Sequence, residues 1–166
     1  MLTRRFSLVE LAAVMLVVAI VVYALFSRTL LYLEVAEKAA MTLSVFEVES
    51  GMRIRFAMAA GKGDSVPSEA LLKTNPFEFA HAIPANYLGK LGGQTDLQGL
   101  KPGIWFYDMD RREIAYLPRF ASRFRGAPDA EIPVIRYRAD VGGGKIAFPR
   151  LVSVVSYQWE PEFGTF

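Results

Sequence analysis

Few residues in this chain are placed to do chemistry. It has one histidine and no cysteine, which removes the thiol nucleophile, the thiolate metal site and the disulfide framework together. His81, in EFAHAIP, has no second histidine at ligand spacing, so packing or exposure is expected of it and not a zinc site. Asp108, Asp110 and Glu113 hold oxygens that suit calcium, yet their spacing follows no calcium loop, and turn chemistry accounts for the two aspartates. The GGG at 142–144, followed by Lys145 and Ile146, does not make the lysine and hydroxyl pattern of a phosphate loop, and no serine sits in a nucleophile elbow. Trp105, Phe106, Tyr107, Tyr137, Tyr157 and Trp159 fall at strand positions, where packing prevails over ligand stacking. No catalytic, cofactor or metal site is expected. The residue that asks for an explanation is an acid, Glu10, set inside an apolar run.

That run must be positioned by a helix. From residue 6 to residue 26 the polar side chains are Ser7, Glu10 and the phenol of Tyr23, and roughly 20 apolar residues at 1.5 Å each cross a bilayer core. No small-x-small cleavage site follows, since Tyr23, Leu25, Phe26 and Arg28 stand there, so a retained span is expected and not a removed signal. Arg4 and Arg5 before the span, against Arg28 alone after it, place the amino terminus in the cytoplasm and the rest outside. The net charge of +2 is mixed along the chain, which indicates neither a nucleic-acid stripe nor a polybasic patch. The densest basic cluster, Arg119, Arg123 and Arg125, has Asp129 and Glu131 close behind it and reads as a solvated loop.

The stretch after the span has no proline until Pro67. Met41, Val45, Val48, Met52, Phe56 and Ala59 recur at steps of three and four, so one helical face is a packing stripe. Glu34 to Lys38 and Glu49 to Arg53 are acid-before-base pairs that support an exposed face. Gly51 weakens the helix and marks either a close neighbour or a bend. GKGDS at 61–65 ends it. Span and stripe read as one helix of about 55 residues, roughly 80 Å long.

Beyond it, residues 66–93 mix short helical pieces with proline breaks. GIWFYD at 103–108 and EIAYLP at 113–118 form a hairpin across MDRR. IPVIRYRADV turns Ile135 and Tyr137 to one side and Val134, Arg136 and Arg138 to the other, and LVSVVSYQW at 151–159 supplies a last strand. The expected fold is α+β: a long amino-terminal helix, transmembrane in its first half and amphipathic in its second, packed on a small antiparallel sheet of about four strands.

FSLVELAAVMLVVAIVV at 6–22 resembles the amino-terminal segment of type IV pilins and of the pseudopilins of type II secretion: a phenylalanine, a glutamate at the fifth position, then an unbroken apolar helix. NYLGKL at 86–91 and GIWFYDMDRREIAY at 103–116 are also similar to the sheet region of some pilin-like proteins. The resemblance implies a pilin-like fold, divided into a short basic cytoplasmic leader at 1–5, a transmembrane helix at 6–26, an amphipathic continuation at 27–60 and a periplasmic head at 61–166. It implies a pseudopilin or minor pilin, single-pass in a bacterial inner membrane, that polymerises through its hydrophobic helix. The partners implied are other pilin-like subunits, a prepilin peptidase, an inner-membrane assembly platform and membrane lipid, with no nucleic acid and no cofactor.

Arg5 and Phe6 occupy the position of the processing site, but the family's peptidase cuts after glycine. Arg5 in that place predicts inefficient or absent cleavage, and with it no freed, methylated Phe6. In the resembling family the acid matching Glu10 is associated with the freed terminal amine of a neighbouring subunit, so Glu10 is expected to act in assembly. Many pilins also bend near the position of Ser27 at a proline; this chain has none there, and an unbroken helix is expected. The competing class is a signal-anchored periplasmic enzyme or binding module that uses the helix as a tether.

Overall fold

A computed structural model describes residues 7–62, 73–92, 97–126, 132–142 and 148–160. Helix α1 runs without a break from Leu8 to Gly61, 54 residues. No proline interrupts it, and leucine, alanine, methionine, glutamate and lysine dominate its second half, residues that lose little rotamer freedom in a helix. It ends where Lys62 donates its backbone N–H to the carbonyls of Ala59 and Ala60.

The strands that follow are β1 (Tyr87–Leu91), β2 (Ile104–Asp108), β3 (Glu113–Leu117), β4 (Phe124–Arg125), β5 (Ile135–Val141), β6 (Pro149–Ser153) and β7 (Gln158–Trp159). Five form one sheet in the order β1-β2-β3-β5-β6, and β4 pairs with β7 in a separate two-stranded piece. The β2–β3 hairpin closes over residues 109–112 as the aromatic runs predict, with Asp108 paired to Glu113 across its mouth. β1 differs from the sequence reading: it lies parallel to β2, so the sheet is mixed and larger than four antiparallel strands. Its five residues, YLGKL, alternate weakly, and its glycine, Gly89, takes a positive φ of 117°, a position where the register of the pair shifts. The expected last strand is also divided. β6 pairs with β5, the chain bends at Val154 and Val155, and β7 leaves to pair with β4.

The sheet lays one side on α1. Trp105, Tyr107, Ile114, Tyr116, Ile135 and Tyr137 come from that side and pack with Met41, Val48 and Met52 of the helix. Met41, Val48 and Met52 are buried, with Val45 packed beside them and Phe56 edge-on to Phe148 at 6.3 Å, so the expected stripe is the packing face. Gly51 is explained by a close neighbour and not by a bend: an added Cβ would run into the carbonyl of Phe79, at the end of the 3-10 turn Pro76–Phe79. The opposite side of the sheet is less wet than its arginines suggest. Arg136 is only 11% exposed and bridges Asp108 at 2.9 Å and Glu113 at 3.5 Å, while Arg138 takes the other Glu113 oxygen.

The outer edge of β6 is closed by the helix. The Leu151 N–H, which points away from β5, donates to Glu49 at 2.7 Å, and the Arg53 guanidinium reaches the Pro149 carbonyl at 3.5 Å. Proline at 149 has no N–H to leave unpaired at that edge. Two side chains thus complete the ladder where another strand would otherwise pair.

Candidate functional site

Chain connectivity and burial direct attention to α1 itself. Residues 8–26 are exposed along their whole length, and none of that apolar segment is buried against the head. α1 is therefore long and apolar enough to be a membrane span or signal anchor.

At its start, Ser7 is the N-cap. Its Oγ accepts from the amides of Val9 and Glu10, and Glu10 Oε2 accepts the Ser7 N–H at 3.0 Å. This reciprocal capping box satisfies amides that the first helical turn cannot pair internally. Glu10 thus has an intrachain partner that a reading of its charge alone does not supply, although Ser7 three residues before a glutamate is the sequence signal for it. Arg5 and Phe6, the expected processing site, lie outside the described residues.

Past the span, the helix carries two contrasting faces. One holds the head. Glu34 is 1% exposed and its carboxylate receives four donors: Ser122 Oγ at 2.6 Å, the Arg123 amide and Trp159 Nε1 both at 2.9 Å, and the Arg123 guanidinium at 3.4 Å. Burial alone would push its pKa up, but those hydrogen bonds and the Arg123 charge outweigh it and hold the carboxyl below its usual range. One turn on, Glu37 accepts from the Arg119 and Phe120 amides and from the Tyr116 hydroxyl, each at 2.7 Å. Burial, followed by the adjacent Glu37 carboxylate, drives the Tyr116 phenol upward. Glu49 repeats the device on β6. Three helix carboxylates therefore capture backbone amides of the head, from the segment after β3 to the outer strand. The expected Glu49–Arg53 pair is present at 3.7 Å. The expected pairing of Glu34 with Lys38 on an exposed face is wrong, because Glu34 turns into the head.

The other face is mostly apolar. Tyr32, Leu43, Phe46, Ile54 and Met58 are exposed, with Phe46 at 63% and Met58 at 64%; with Ala36 and Ala39 they lie opposite Met41, Val48 and Met52, interrupted by Glu47 and Ser50, and Ile54 and Met58 border the head at 79–82. A helix that met only water on this face would be expected to carry charge there.

The remaining chemistry-bearing residues find ordinary roles. His81 is exposed, beside Phe79 and Ala80. Asp108 Oδ1 accepts the Arg111 amide at 3.0 Å, a turn-capping bond, while Oδ2 holds Arg136. Guanidinium groups thus occupy Asp108 and Glu113, where a cation would have to sit. Among the described residues no group of three or more histidine, aspartate or glutamate side chains is arranged to hold a metal ion. Of the 142–144 run, Gly142 ends β5 and the rest lies outside the described residues.

No protein-family model, no characterised protein and no solved structure matches the chain.

Proposed function

We propose that the chain is a pilin-like subunit, a pseudopilin or minor pilin, which inserts by its amino-terminal helix and assembles with other pilin-like subunits along it. The reading is non-enzymatic: the helix, not a pocket, is the working part. The observation that carries it is the exposed apolar face of α1, which continues beyond the apolar amino-terminal run through Ala39, Leu43 and Phe46 on the side turned away from the sheet. A tether would need no such face outside the membrane. The FSLVEL segment supports the same reading, and the arginine asymmetry favours a head in the periplasm of an inner-membrane protein.

Glu10 provides the test, because its two roles separate on substitution. Glu10→Gln keeps the capping box, which accepts glutamine as well as glutamate, but removes the charge. In the assembly reading the ionised acid offsets its desolvation against a cation of the neighbouring subunit, either a freed amine or Arg4 or Arg5. The expected result is normal insertion and head folding with a several-fold loss of crosslinking to other subunits. Crosslinking of Glu10→Gln at the native level would refute the charge pairing and leave Glu10 as a helix cap.

A further inference from the structure

The head stands close to the end of the span. Leu31 is the first helix residue it buries, only five residues beyond Phe26, or about 8 Å along the axis. Glu34 and Glu37 follow at about 12 and 16 Å. What these two acids hold is the segment from Arg119 to Arg123, with β4 and β7 alongside through Trp159. Their capture brings Arg119, Arg123 and Arg125 to the end of the head nearest the apolar run, and all three are exposed, with Arg123 paired to Glu34 and the Arg119 guanidinium also reaching the Pro102 carbonyl at 3.5 Å. Arg28, on the helix itself, lies lower still. Among the described residues, the carboxylates Glu34 and Glu37 are turned inward, and Glu160, exposed beside Trp159, sets a negative charge against the group. Phe124, stacked on Tyr157 at 5.8 Å and edge-on to the buried Trp159 at 6.1 Å, packs this end against the core.

Resting on the reading of α1 as a membrane span, we infer that the arginines of this end form a docking surface for anionic phospholipid headgroups of the leaflet from which the helix emerges. The headgroup layer adds roughly 5–7 Å to each side of the hydrocarbon core, and an arginine side chain reaches several ångströms beyond its backbone, so the two layers meet. Along the sequence this densest basic cluster reads as a solvated loop; only the Glu34 and Glu37 contacts bring it toward the bilayer. Such a surface holds the head upright over the membrane and draws acidic lipid around the base of the helix.

The test uses the full chain in phosphatidylcholine vesicles holding a minor share of phosphatidylglycerol, with spin-labelled lipids reporting which headgroup is held at the protein. The chain should prefer phosphatidylglycerol. The double variant Arg119→Gln/Arg125→Gln, which leaves every backbone bond to Glu37 in place, should lose up to about fivefold of that preference per arginine at low salt, and high salt should erode the native preference likewise. Retention of the protein in the vesicles through alkaline extraction reports the span separately. A chain that washes out overturns both the span and this surface. A chain that stays but shows no preference, or a variant with undiminished preference, overturns the surface alone. Displacement by inorganic phosphate at constant ionic strength would also overturn it, in favour of binding to free phosphate.

Discussion

The buried carboxylate of Glu34 is a point at which a single substitution should loosen the fold. Replacing it by alanine strips the partner from three neutral donors at once. Ser122 is exposed and its hydroxyl can turn to water, whereas the indole N–H of Trp159, a residue 1% exposed, cannot, and the Arg123 amide is left half-sheltered. A buried donor left unsatisfied costs about 1–3 kcal/mol. One fully buried donor and one half-sheltered donor put Glu34→Ala at about 2–4 kcal/mol, and the Arg123 guanidinium, 47% exposed, turns to water at little further cost. Glu34→Gln keeps one acceptor oxygen but turns an amide N–H toward other donors, so a cost of about 1–3 kcal/mol is expected. The assay is denaturant unfolding of the full chain in detergent, followed by tryptophan fluorescence, since Trp159 reports the broken contact itself. The pH dependence has a defined sign. Because the folded carboxyl is held below its ordinary value of 4.5, its contribution is complete above that pH and is lost as pH falls through it toward the folded pKa. Native protein should weaken over that range more than Glu34→Gln does. If Glu34→Ala falls within the roughly 0.5 kcal/mol typical of surface substitutions, the clamp does not hold the head and the argument fails.

Further perturbations test the other contacts. Gly51→Ala gains about 1 kcal/mol of helix propensity but drives a methyl into the Phe79 carbonyl, an overpacking of about 1–3 kcal/mol; thermal unfolding should show net destabilisation, and a more stable variant would mean that the 3-10 turn yields freely. Arg136→Met leaves Asp108 and Glu113 facing each other with only Arg111 and Arg138 to neutralise them, so a loss of about 3 kcal/mol is expected by the same unfolding measurement. In that variant the Asp108 pKa should also rise in an NMR titration. Burial pushes it up in the native chain, but the Arg111 amide and the Arg136 guanidinium more than offset this and hold it below 3.8.

The helix was legible because its signals are local and repeated: an unbroken apolar run, a stripe at three-and-four spacing, a glycine stop. The β2–β3 hairpin was legible for the same reason, and its four-residue connection falls where the turn residues place it. β1 was not, since a parallel partner lies beyond a crossover and a short strand with a glycine in it carries little period-two signal. LVSVVSYQW reads as one strand because nothing in its composition marks the bend at Val154; the competing partners β5 and β4 impose it. At the candidate site, Glu34 and Glu37 sit on the same helical stripe as Met41 and Val48, and that placement was the available clue. A glutamate four residues before a lysine is, however, as good a surface pair as a sequence offers. Only the head's unpaired amides, which have no sequence signature, draw the acids inward.

The clamp has a mechanical consequence that no single contact would have. Glu34, Glu37, Glu49 and Arg53 hold the head over about 28 Å of helix, and most of what they hold is backbone. Head rotation about α1 would have to break bonds at both ends of that length together, along with the apolar packing of Met41, Val48 and Met52 between them. The orientation of the head relative to the amino-terminal segment is thereby fixed, and the apolar face left open is fixed with it. In a filament of such subunits, the azimuth at which one helix meets its neighbours would set where every head points. Under the proposed assembly, a substitution at Glu34 should therefore lower crosslinking between subunits even though the residue lies on the face that packs on the head, because it loosens the relation between the two faces.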